Sequence, residues 1–168
     1  MDDAKDRLVD FAVNRDDLKE FLKLLPAAEE IDLIAVEYEA QILKIISVGW
    51  GISFFLSDQI WKNELAEAFW QAMNDFSVNV SLASSSVSGK EIDYFSILKE
   101  RLDHYVAALS VSKDAVEPVS VIAPEFAGFC GAGNNAHVIM LGNRIFSSAA
   151  AGVKEYVLAV EIYSGKKE

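Results

Sequence analysis

The chain has 168 residues, 52% of them apolar, 24% charged, and a formal net charge of −11. Such a composition can bury a sizeable core without disulfides or metals and excludes a disordered chain. The acidic balance repels phosphate backbones and anionic lipid surfaces, so nucleic-acid and membrane partners are not expected. The single cysteine, Cys130, excludes an internal disulfide framework. The first six residues, Met1 to Asp6, lack the basic and apolar regions of a secretory signal, which points to a cytoplasmic protein.

Residues 3–13 place Leu8, Phe11 and Ala12 on one helical side and acids on the other. Asn14 and Asp17 suit a second helix start, with Leu18, Phe21, Leu22 and Leu25 as its apolar stripe and Pro26 as its stop. Glu29 and Glu30 suit the positive end of the next helix.

That next helix, about residues 28–57, is the centre of the expected fold. Its stripe runs Ile31, Ile34, Ala35, Tyr38, Ile42, Ile45, Ile46, Gly49, Ile52 and Leu56, and Glu37, Gln41 and Lys44 form its wet side. No charge occurs between Lys44 and Asp58. A helix apolar on every side is buried in protein or in lipid, and this run is shorter than the ~20 residues that span a bilayer. Gly49 and Gly51, flanking Trp50, predict a close crossing by another helix.

Trp61, Leu65, Ala68, Phe69, Ala72, Met73 and Phe76 repeat at helical spacing. Residues 77–90 lose the period and are rich in serine, which predicts a surface loop. Residues 91–110 give a helix burying Phe95, Leu98, Leu102, Tyr105, Val106 and Leu109. Val119 to Ile122 fits a strand or a buried helix, and residues 117–130 are read as helix, kinked or interrupted at Pro124. Gly131 and Gly133 break the chain. Asn134 or Asn135 caps a last helix with the stripe Val138, Leu141, Ile145, Ala149, Val153 and Val157, followed by a tail from about 164 to 168.

Chemical motifs are sparse. Gly131-x-Gly133-x-x-Ala136 has the form of a dinucleotide fingerprint but lacks the strand that must precede it. Ser96 and Lys99 have the S-x-x-K spacing of some acyl-transfer enzymes without the companion motifs. Cys130 with His104 or His137 lacks a nucleophile signature, and a buried apolar role suits the thiol better. Two histidines without a Glu-x-x-His or HExxH pattern give no metal site and no cofactor. Asp58, at the end of the uncharged run, caps the next helix or pairs with Arg101 or Arg144, and Trp50, Asp58, Arg101 and His104 are the candidate pocket lining. Trp61 and Trp70, nine residues apart on one helix, fall on opposite sides, so one of them should be exposed or meet a partner.

The expectation is an all-α, single-domain bundle of six or seven helices over residues 1–168. Its expected function is that of a non-catalytic adaptor, chaperone-like or regulatory module that self-associates or binds a protein partner through an aromatic face. The alternative is a small-molecule binder, less readily an enzyme, with a pocket near Trp50.

Overall fold

The computed structural model describes residues 2–27, 31–57, 59–89, 92–112 and 117–164. Among them lie seven helices and no strand. They are α1 (Asp2–Val13), α2 (Asp16–Leu22), α3 (Leu33–Phe55), α4 (Lys62–Ser88), α5 (Tyr94–Val111), α6 (Val119–Phe129) and α7 (Ala136–Ser164). The fold is a helical bundle with α3 at its centre, and α3 packs against each of the other six helices. No helix of the described residues is long and apolar enough to cross a membrane.

The central helix is shorter than its apolar pattern suggests. Asp32 accepts from the backbone N–H groups of Ile34 and Ala35, so the helix begins at Leu33 rather than near residue 28. Ile34, expected inside, is 83% exposed, because the first turn lies beyond the surrounding helices. From Glu39 to Gly49 every residue is buried. Of the expected wet side Glu37 stays half-exposed, paired with Arg15, while Gln41 and Lys44 are buried. Their donor groups meet the end of α1, while the buried Gln41 Oε1 has no hydrogen-bond partner among the described residues. The Gln41 amide donates to the Ala12 carbonyl at 2.8 Å, and the Lys44 ammonium donates to the Asn14 carbonyl and to Asp17, each at 2.7 Å. A cation there also meets the negative end of the α1 dipole.

The glycines of α3 do what their spacing suggests. A Cβ on Gly49 would come within 2.5 Å of the Trp70 ring of α4, and one on Gly51 within 3.0 Å of Val153 Cβ on α7. Trp50 between them is half-buried rather than hidden.

The serine-rich stretch expected as a loop over 77–90 is helix as far as Ser88. Its hydroxyls donate one turn back: Ser77 to Met73 O, Ser81 to Ser77 O, Ser85 to Ser81 O and Ser86 to Leu82 O. Serine usually disfavours helix interiors by competing for backbone groups. Here the competing bonds run within the helix, and Ser81 Oγ also accepts from the Tyr94 N–H at the start of α5. Gly89, at φ 67°, ends α4 in the left-handed conformation that glycine adopts without strain.

Residues 117–130 are helical, and Pro124 sits within α6. Asn135 caps α7 by accepting from the His137 and Val138 N–H groups. All six expected stripe residues of α7 are buried. Val106 of α5, expected inside, is exposed. Trp61 and Trp70 are both half-buried against the core. Trp61 is the N-cap of α4 rather than part of its spiral, so a nine-residue rotation does not separate the two.

Gly142 of α7 faces Phe126, whose ring would lie 2.6 Å from an added Cβ and is fully buried. Gly142→Ala is expected to destabilise the fold by about 1–3 kcal/mol through overpacking. Gly128→Ala, where an added Cβ meets nothing within 4 Å, is expected to stabilise by about 0.5 kcal/mol. Urea unfolding of the two variants checks both signs.

Candidate functional site

Two clusters contain the residues singled out from the sequence. Arg101 and His104 lie in one and Trp50 in the other, while Asp58 lies outside the described residues.

The first cluster joins α3, α5 and α6. Glu39 points from the buried phase of α3, three residues after Val36 and four before Leu43, and is 5% exposed. Arg101 of α5 answers it with two nitrogens: Nε lies 3.1 Å from Glu39 Oε2 and Nη2 lies 3.0 Å from Oε1. Its third nitrogen, Nη1, donates to Glu100 at 2.7 Å. The guanidinium carbon lies 4.0 Å from the Phe129 ring centre of α6, a cation–π arrangement. Glu39's hydrogen bonds raise the Arg101 pKa further, outweighing its burial.

His104, one turn along α5, meets the same Phe129 ring edge-on at 4.8 Å, and its Nε2 lies 2.7 Å from Glu125 Oε2 of α6. Tyr105 completes the clasp at 5.8 Å from Phe129. Cys130 follows Phe129 directly and is buried. Burial first, then the Glu39 charge, push its thiol up to about 12. The thiol is thus held protonated, unlike the lowered thiolate of a nucleophilic cysteine. Tyr94 and Tyr105 are also raised, both by burial first.

The second cluster caps the far end of α3. Trp50 stacks on Phe54 at 4.7 Å with 13° between planes, meets Phe55 edge-on at 6.1 Å and tilts against Phe146 of α7 at 5.1 Å. Phe54 is 57% exposed. Glu39 and Trp50 are eleven residues apart on one helix, about 16 Å along its axis. The structure therefore brings Arg101 and His104 together and leaves Trp50 at another end. Among the described residues, Trp50, Arg101 and His104 line none of the cavities whose walls are defined.

Sequence reasoning missed Glu39 and Lys44. A charged residue in phase with Val36 and Leu43 was the available signal for the first. For the second there was none, since its partner is the end of a helix thirty residues earlier.

The remaining motifs take structural places. Ser96 donates through its hydroxyl to Asp93, which caps α5. Gly131 follows helix α6, not a strand. Among the described residues no three His, Cys, Asp or Glu side chains gather to hold a metal. No family model, curated protein or solved structure matches the chain.

Removing Glu39 leaves the largely buried Arg101 with only the exposed Glu100 as its carboxylate partner. Glu39→Ala is expected to cost about 3 kcal/mol, and Glu39→Leu combined with Arg101→Met to recover most of it. A double-mutant cycle by chemical denaturation measures the coupling.

The raised Cys130, Tyr94 and Tyr105 groups favour their protonated forms in the fold. The Cys130 contribution is complete below the unfolded thiol's ordinary value near 9 and is lost as pH rises toward its folded value of about 12, and the raised tyrosines add to the loss at still higher pH. Unfolding free energy is expected to fall across that alkaline window, and Cys130→Ala to delay the onset. Denaturant titrations from neutral to alkaline pH test this.

Proposed function

We propose that the chain is a non-catalytic interaction module that pairs with a second copy of itself through the Trp50–Phe54 face, serving an adaptor, chaperone-like or regulatory role. One observation carries this reading: Phe54 is stacked on Trp50 yet more than half open to water, just past the stretch of α3 that is buried on all sides. Ile60, just beyond that helix, is fully exposed. Exposed aromatic residues of this kind are enriched where proteins meet, and charge is depleted there.

Self-pairing fits the electrostatics. Two chains of net charge −11 repel each other. The segment between Lys44 and Asp58 carries no charge, so two copies meeting there set no like charges face to face. A two-fold arrangement would place the same ring on both sides of the contact. A cytoplasmic setting suits the buried, unpaired Cys130 thiol.

Sedimentation equilibrium is the test. A dimer with a dissociation constant on the order of micromolar is expected, weakened at least about tenfold by Phe54→Ser. The thermal midpoint of the variant should stay near that of the parent, because the ring is exposed. A monomer at about 1 mM, or an unchanged dimer in the variant, overturns the proposal.

A further inference from the structure

A second surface lies between α2 and α7. Phe21, Leu24 and Leu25 on one side and Met140 and Leu141 on the other wall a cleft of about 60 Å³, which His137 and Arg144 of α7 also line. The cleft opens into a groove that runs on past Met140 and Arg144 to Asn143, Ser147 and Ser148. From residue 137 to residue 148 this is about 16 Å, or three helical turns. Leu24 and Met140 are both about 60% exposed.

The arginine here differs from the chain's other three. Arg7, Arg15 and Arg101 each pair with a carboxylate. Arg144 pairs with none among the described residues, in a protein with 26 acids and 15 basic residues. No described residue of either lining is acidic.

We propose that this groove seats an acidic amphipathic helix of another protein. An apolar side chain of that helix enters the cleft between Leu24 and Met140. A carboxylate one turn along it pairs with Arg144, which lies one turn beyond Met140 on α7. This is helix-in-groove recognition, with Met140 supplying an adaptable wall. The enclosed cleft, about 60 Å³, has room for one side chain, and the open groove beside it, about 680 Å³, gives the length along which a helix lies. The chain's own acidic amphipathic helix, α1, already buries Leu8 and Ala12 in the core, so it has no apolar face left to offer a second copy. The groove is independent of the Phe54 face, since Arg144 and Phe146 project about 200° apart around α7.

The probe is a capped peptide of about 14 residues, with leucines at helical spacing and glutamates elsewhere, beside a twin carrying lysine for glutamate. Methyl NMR of the methionines reports on binding. The glutamate peptide is expected to shift the Met140 methyl saturably and to leave that of buried Met73 in place. Arg144→Glu and Leu24→Ser should each weaken binding at least about tenfold, and the lysine twin should bind about tenfold more weakly. Both substitutions are on the surface, and thermal melts confirm that the variants fold. The proposal is overturned by any of four results: no saturable shift up to about 1 mM peptide, equal binding of the twin, indifference to Arg144→Glu, or a Met140 shift produced by decanoate or by protein concentration alone.

Discussion

Everything in this bundle follows from α3 having no free side. A helix normally keeps one face wet and places its charges there. Between Glu39 and Gly49 this one cannot, because α1, α2, α4, α5, α6 and α7 all pack on it. Each polar group in that stretch must find its partner inside the protein or bear the full cost of desolvation. Glu39 finds Arg101 on α5, Lys44 finds Asp17 and the end of α1, and Ser47 donates to its own Leu43 carbonyl.

These interior bonds do more than neutralise charge. A two-nitrogen contact between a guanidinium and a carboxylate admits little latitude, so Glu39 sets how α5 lies along α3. Phe129, held under Arg101 and against His104 and Tyr105, then ties α6 to the same point. The chemistry gathered there serves to position helices. Lys44 does similar work at the other side, drawing the α1–α2 junction onto α3. The two proposed contact surfaces lie where packing stops: at Phe54, past the buried length of α3, and in the seam between the short α2 and the long α7.

Periodicity located every helix but α6, whose short β-branched start fits strand or helix alike, and the α7 stripe was legible residue by residue, because one face of that helix stays wet. Gly49 and Gly51 were legible too, since glycine within a buried helix has few uses besides close approach. The serine-rich end of α4 was not. Its hydroxyls bond within the helix, so composition suggested a loop where the backbone had no reason to stop. The site was half legible. Arg101 and His104 do share a ring, but it is Phe129 rather than the end of α3 that brings them together. Trp50 belongs elsewhere, and Asp58 falls outside the described residues.

The sequence by itself determined that the chain is all helix and which helix sits at the centre, because apolar spacing and the absence of charge are local properties. Only the tertiary structure decided what that centrality demands. Gln41 and Lys44 look like a solvated face until the end of α1 is laid against them, and Glu39 looks like a misplaced charge until α5 supplies its partner. Burial is set by what packs on a residue, and those neighbours come from segments tens of residues away.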